Sequence, residues 1–170
     1  MVLHFSRALA QRLRCPLSFP ETRVAQSGRM DSWSADLLRF RGFGSQALVM
    51  HDASLWPIII PLDACKSFET FLPALLFHVE ASYLAVGGQF DRTNLTVVAT
   101  RRSNRRIIGS MNEAKRLLTH DVVAMKQRLG HVDWMALASQ LAETPFFAVK
   151  GYLPGKRFAE LVAEEAHGDA

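Results

Sequence analysis

Six basic and two polar residues lie close together between positions 101 and 116, and their chemistry suits the binding of an anion. Guanidinium and ammonium groups form charge-assisted hydrogen bonds with phosphate oxygens, and hydroxyl and amide side chains add further donors. The candidate binding residues are Arg101, Arg102, Arg105, Arg106, Ser110, Asn112, Lys115 and Arg116. The alternative interpretation of the same residues is a solvated basic loop followed by an ordinary helix start.

A helix is expected to begin in the middle of this segment. Ser110 and Glu113 are three residues apart, directly ahead of apolar residues at helical spacing, which is the arrangement of a capping box. A helix N-terminus carries unpaired backbone N–H groups and partial positive charge, and both attract anions. The sequence therefore predicts an anion site formed by a helix that begins at Ser110 and by the arginines before it.

The charge distribution favours the same segment. The formal net charge is +4, and residues 100–129 carry eight Lys and Arg against two Asp and Glu. Residues 1–41 carry seven against three, whereas residues 42–99 and 130–170 are both net acidic. Such basic blocks can contact a nucleic acid or another polyanion, and they also keep a protein soluble.

Histidine–aspartate pairs offer a different chemistry, because imidazole nitrogens and carboxylates are metal ligands. The pairs are His51-Asp52, His120-Asp121, and His131 with Asp133. These pairs are weak candidates for a metal site, because His120 and Asp121 are neighbours on a helix and point about 100° apart, whereas His51-Asp52 fits a turn and Asp133 fits an acidic residue in a first helical turn. A metal-dependent or toxin-like hydrolase that uses some of the four residues of the first two pairs is nevertheless the second hypothesis. No catalytic residue, metal ligand or cofactor is predicted, since the motifs of standard hydrolases and of dinucleotide binding do not occur.

Length and composition indicate the kind of protein that carries these residues. A chain of 170 residues with 49% hydrophobic and 21% charged residues is expected to form a single globular domain over residues 1–170. The two cysteines, Cys15 and Cys65, are far apart and have no metal-ligand neighbours, which favours a reducing cytoplasm. No secretory signal and no membrane span are expected.

Apolar periodicity predicts the elements that position the candidate residues. Strands are expected from Val2 to Phe5, from Trp33 to Phe40, from Ala47 to Met50, from Trp56 to Ile60, from Leu95 to Thr100 and from Phe146 to Val149. Helices are expected after Phe5, from Ser67 to Ala85, from Ser110 to Gly130, from Val132 to Ala142 and around Phe158. A surface loop is expected from Ser18 to Ser32. This order predicts an α+β fold with a mainly antiparallel sheet packed with several helices.

Prolines refine two of these elements. Pro57 and Pro61 flank the fourth strand, which is therefore expected to lie at an edge of the sheet or to end at Pro61. Pro73 fits the following helix only if that helix begins near Thr70, so that the proline falls in the first turn.

Three segments together resemble a bacterial domain family of unknown function found in plasmid-borne and chromosomal proteins. They are Trp33-Ser34-Ala35-Asp36-Leu37, the run Leu48 to Ile60, and Thr100 to Asn112. The family pattern contains W-x-A-x-L and R-S-V-L-G-S-M-N, and the resemblance covers residues 33–121. It implies a soluble bacterial protein and no assigned activity.

The chain departs from that pattern at two places. Arg106 stands where the family has serine, and His51 stands where the turn usually has asparagine. The leading hypothesis is therefore drawn from the residues themselves: a non-enzymatic cytoplasmic binding module that contacts nucleic acid or another anion through the basic turn at 101–106. A third hypothesis is a protein-interaction component that uses the 18–32 loop or the acidic C-terminal helix.

Overall fold

A computed structural model describes residues 1–17, 30–93, 95–146 and 153–168, which form five strands and five helices. In chain order these are β1 (Val2–Phe5), α1 (Arg7–Arg12), β2 (Ser32–Arg39), β3 (Ser45–His51), β4 (Pro57–Pro61), α2 (Phe68–Ala85), β5 (Val98–Arg101), α3 (Arg105–Leu129), α4 (Trp134–Ala142) and α5 (Pro154–Gly168). The predicted α+β class is confirmed.

The five strands form one sheet in the order β4-β3-β2-β1-β5. β2–β3 and β3–β4 are antiparallel, with seven and five residue pairs, whereas β1 pairs in parallel with β2 and with β5 over four pairs each. The sheet is thus mixed, with the longer pairings antiparallel. Because β1, β2 and β5 run in the same direction, their carboxyl ends lie at the same end of the sheet.

Apolar side chains cover both faces of the sheet. On one face, Trp33 and Ala35 of β2 pack in a core that includes buried residues of α1, α2 and α5. On the other face, Leu48 and Ile59 pack in a core that includes buried residues of α3 and α4. Alternate strand residues point to opposite faces, so β2, β3 and β4 contribute to both cores, whereas β1 and β5 contribute to the first core only. None of the described helices is long and apolar enough to cross a membrane.

Several predicted boundaries are confirmed. β4 lies at the sheet edge, as its prolines indicate. Gly42 and Gly44 have φ of 83° and 71° in the turn between β2 and β3, a conformation that favours glycine. Gly130 ends α3 in the left-handed conformation.

Two boundaries were predicted incorrectly. α2 spans Phe68–Ala85 with Ser67 as its N-cap, as the apolar spacing predicts, but the start near Thr70 that would place Pro73 in the first turn is wrong. Ser67 and Thr70 form a capping box, so Pro73 lies in the second turn. The proline deprives the carbonyl of Glu69 of its intrahelical partner, which is tolerated because Glu69 is exposed to solvent. The strand predicted from Leu95 instead begins at Val98 and ends at Arg101.

Two further predictions fall largely on residues that the structure does not describe. Residues 18–29 of the predicted loop lie outside the described residues, whereas Ser32 already belongs to β2. Residues 147–149 of the predicted last strand also lie outside them.

Candidate anion-binding surface

α3 begins five residues earlier than the sequence predicts. Its N-cap is Asn104, whose side-chain Oδ1 accepts hydrogen bonds from the backbone N–H groups of Arg106 and Ile107 at 3.0 and 3.5 Å. Ser110 is inside the helix and 3% exposed, and its Oγ donates to the carbonyl oxygen of Arg106 at 3.2 Å. The prediction that Ser110 caps the helix is therefore wrong. The physical reason is that Ile107 and Met111 also face the core, so burial extends the helix upstream.

The earlier start places Arg105 and Arg106 in the first helical turn, where there is no acidic residue. Positive side chains at this position face the positive end of the helix dipole, an arrangement that costs free energy and that a bound anion would relieve. The backbone donors of this turn contribute less than expected, because Asn104 already occupies two of them. Any anion recognition here therefore depends on side chains.

Three of the predicted residues share one exposed side of α3. Arg105, Asn112 and Arg116 lie within about 40° of one another around the helix axis, at 100° per residue. Gly109 lies between them, and a Cβ atom added to it would meet no atom within 4 Å. We call Arg105, Gly109, Asn112 and Arg116 the basic face.

Two more exposed arginines flank the basic face: Arg106 beside it and Arg101 at the end of β5. Within the described residues, no carboxylate lies within salt-bridge distance of Arg101, Arg105, Arg106 or Arg116. These four guanidinium groups are the cations of the predicted set that remain accessible to a ligand.

Arg102 and Lys115, by contrast, are bound to an internal carboxylate. Asp36 of β2 is 5% exposed, and its Oδ2 lies 2.9 Å from Nη2 of Arg102 and 2.6 Å from Nζ of Lys115. Its Oδ1 accepts from the backbone N–H of Leu37 at 2.8 Å. Burial alone would raise the pKa of Asp36, but hydrogen bonds from Lys115 and Ser6 and the charge of Arg102 outweigh it and hold the pKa below the ordinary value. This ion-pair cluster attaches α3, and the residue that follows β5, to β2 of the sheet.

The histidine–aspartate pairs do not form a common site. The His51 ring packs against Trp33 and Phe158 at centroid distances of 5.0 and 5.5 Å, in the core that includes α5. Asp52 instead contacts Ser32, and His120 lies exposed on α3 beyond the other face of the sheet. In the part of the chain that the structure describes, no three His, Cys, Asp or Glu residues are grouped to hold a metal ion.

A row of hydrogen bonds links Asp52, already considered as a metal ligand, to three polar residues that no sequence motif indicated. Ser32 Oγ donates to Asp52 Oδ2 at 2.7 Å, His4 Nε2 lies 3.1 Å from Ser32 Oγ, and Thr100 Oγ1 lies 3.4 Å from His4 Nδ1. The row connects the end of β3 with β2, β1 and β5. Its members are up to 96 residues apart in sequence, so no local spacing could reveal it.

A groove of about 160 Å³ lies between β4, α2 and α4. Its lining is mostly apolar, with His78, Ser82 and Ser139 as polar residues. Burial lowers the pKa of His78, which favours the neutral imidazole. Phe77 and Met135, 62% and 64% exposed, are on the two helices that border the groove.

Comparison with protein families gives a match over residues 2–156 to a domain of unknown function, DUF6933. No curated protein and no solved structure matches the chain. The match covers all five strands and the first four helices, and it includes the basic face.

Proposed function

Because the chain belongs to the DUF6933 family, whose function is unknown, we propose a function from its surface alone: it is a non-enzymatic module that binds nucleic acid or a similar polyanion. The ligand lies along the basic face and contacts the flanking Arg101 and Arg106. The observation that carries the proposal is that the four exposed arginines have no carboxylate partner among the described residues.

The internal ion-pair cluster of Asp36, Arg102 and Lys115 supports this proposal. Asp36 neutralises part of the charge of Arg102 and Lys115 and fixes the backbone beside them. The exposed arginines are thereby carried on a fixed strand end and a fixed helix start, which lowers the entropy lost when they bind phosphates. Phosphate binding by such groups is independent of sequence and sensitive to salt.

The proposal extends to the setting of the protein. We place it in the cytoplasm of a bacterium, in keeping with the family resemblance of its sequence and with two buried, free cysteines. Burial raises the pKa of the Cys15 thiol to about 11, so this thiol has little of the thiolate form needed for redox chemistry.

The test is a titration of a fluorescein-labelled oligonucleotide, followed by fluorescence anisotropy at 50 to 200 mM salt. Four phosphate contacts predict a slope of log K against log salt of roughly −3 to −4, and about a hundredfold weaker binding across this range. The Arg105→Gln/Arg116→Gln variant should reduce the magnitude of the slope by about two and weaken binding more than tenfold at 50 mM salt.

The matched control is Arg92→Gln/Arg128→Gln, which removes the same net charge elsewhere. Arg128 lies on the same helix about 35 Å from Arg105 along its axis. Arg92 pairs with Glu80 on the surface, so its loss costs little stability. Absence of salt-dependent binding, or equal losses in both double variants, would refute the proposal.

A further inference from the structure

We infer that the polyanion is a single-stranded nucleic acid, and that one of its bases stacks on the aromatic pair Phe40 and Trp134 at the turn between β2 and β3. The inference rests on the proposed function and adds to it a second contact site, which no sequence motif indicated. We call Arg39, Phe40, Arg41 and Trp134 the turn site.

The first observation is the composition of the turn. Arg39 and Arg41 are exposed on either side of the half-buried Phe40. Within the described residues neither arginine has a carboxylate at salt-bridge distance, so both can bind phosphates. One carboxylate lies close to the turn. If Gly44 carried a Cβ atom, that atom would be 3.1 Å from Oδ1 of Asp63. The turn keeps a net positive charge beside its aromatic ring.

The second observation is the aromatic pair itself. The rings of Phe40 and Trp134 are stacked, with centroids 6.1 Å apart and planes 16° from parallel. Both are partly buried and pack against the core that contains α3 and α4. The turn is also held by a hydrogen bond from the N–H of Phe43 to the carbonyl of Phe40 at 3.0 Å. The rings are therefore ordered before a ligand arrives, so stacking a base on them costs little entropy.

The third observation is the position of the turn relative to the basic face. Ala35 of β2 and Arg101 of β5 both register with Phe5 of β1, and β2 continues four residues further to Arg39. With about 4.8 Å between strands and 3.3 Å per residue, the backbones of Arg39 and Arg101 are roughly 16 Å apart at the same end of the sheet. A single strand of several nucleotides can span this distance.

The combination of exposed arginines and an aromatic pair favours a single-stranded nucleic acid over a duplex. Proteins that bind single strands combine arginines that follow the backbone with aromatic rings that stack the bases. A duplex keeps its bases paired and stacked, so it offers phosphates to the arginines but no base to the turn site. Single strands therefore gain a contact that duplexes lack.

The experiment compares a 12-nucleotide DNA strand, the RNA of the same sequence and the corresponding DNA duplex, all at 50 mM salt. Binding is followed by anisotropy and by tryptophan fluorescence, and Trp134→Phe identifies the signal of Trp134 against those of Trp33 and Trp56. We expect both single strands to quench Trp134 and to bind about tenfold tighter than the duplex, since stacking of one base contributes on this scale. A tighter RNA complex would indicate contacts to the 2′-hydroxyl groups.

The variant that tests stacking is Phe40→Leu, and its control is Phe77→Leu, at an exposed phenylalanine of α2. Phe40→Leu should weaken single-strand binding about tenfold and leave duplex binding unchanged, whereas Phe77→Leu should change neither. If circular dichroism shows that Phe40→Leu does not fold, Arg39→Gln/Arg41→Gln replaces it. These exposed arginines can be changed without loss of packing, and their variant should weaken single-strand binding.

The outcomes separate the inference from the proposed function. Salt-dependent binding with equal affinity for strand and duplex, and with the turn-site variants unchanged, would overturn the inference and leave the polyanion module intact. No salt-dependent binding to any of the three oligonucleotides would refute both.

Discussion

Replacing Gly109 with alanine should stabilise the protein, although this residue lies at the centre of the basic face. Glycine in a helix interior is less favourable than alanine by about 0.8–1 kcal/mol, because it loses more backbone freedom on folding. Gly109 is the fifth residue of the 25-residue α3, and an added Cβ atom would meet nothing within 4 Å. No steric clash opposes this gain, so we expect Gly109→Ala to raise the free energy of unfolding by about 1 kcal/mol and Tm by about 2–4 °C.

Gly130 provides the matched control on the same helix. A Cβ atom on it would also meet nothing within 4 Å, but its φ is 76°, in the left-handed region. Alanine is strained there, and Gly130→Ala should destabilise the protein by about 1 kcal/mol. Urea and thermal unfolding, both followed by circular dichroism at 222 nm, give the two free energies.

Opposite signs for the two variants are the essential result. Destabilisation by Gly109→Ala would show that a group contacts this position in solution, and would refute the description of an open basic face. The oligonucleotide titration of the Gly109→Ala variant provides a second test of this position. If phosphates approach the helix backbone at Gly109, the new methyl group weakens binding while it stabilises the fold.

Asn104→Ala should destabilise the protein by about 1 kcal/mol through loss of the N-cap, whereas Ser110→Ala should change stability by less than about 0.5 kcal/mol, as measured by urea unfolding. Asp36→Asn should cost about 3 kcal/mol in the same assay, because it leaves two partly buried cations without their carboxylate. The folded-state pKa of Asp36 is below its unfolded value, so its contribution is complete above that unfolded value near 3.8 and is lost as pH falls through the folded pKa. Unfolding free energies measured from pH 6 to pH 2 should therefore fall more in the wild type than in Asp36→Asn. The pKa of His78 is lower in the folded protein than in the unfolded chain, so the unfolded chain binds the proton more tightly. The free energy of unfolding should therefore decrease as pH falls below about 6.5. The variant His78→Gln should remove that part of the pH dependence.

Much of the fold follows from local patterns in the sequence. The edge position of β4 was predictable because proline has no N–H to donate to a second neighbouring strand. The turn at Gly42 and Gly44 and the end of α3 at Gly130 were predictable because left-handed backbone favours glycine. Each of these signals depends only on residues within the element and its immediate flanks.

The start of α3 shows where local patterns fail. Asn104 and Ser110 are both good N-cap residues, and the glutamate after Ser110 made the later position the better match. The choice between them was decided by the burial of Ile107 and Met111 against the sheet, which is a tertiary effect. The predicted helix start was therefore plausible in chemistry and wrong in position.

The composition of the binding surface was harder to predict than the helix start, because it depends on residues far apart in sequence. Arg102 and Lys115 could not be told from their neighbours by sequence, because their partner Asp36 is 79 residues away from Lys115. The turn site was missed for a related reason. β1 lies between β2 and β5 and pairs in parallel with both, and this arrangement carries Arg39 at the end of β2 and Arg101 at the end of β5 to one end of the sheet.

The edge strand β4 has a consequence for the behaviour of the protein at high concentration. His51 N–H bonds to Trp56, and Leu62 N–H bonds to Ser45, so the alternation along β4 turns Pro57, Ile59 and Pro61 away from β3. Since proline has no N–H, Ile59 carries the one outward donor of this strand. A neighbouring molecule cannot extend the sheet there by a full ladder of hydrogen bonds. Two copies at high concentration would therefore gain little from pairing edge to edge through β4, and the other edge strand, β5, offers only four residues.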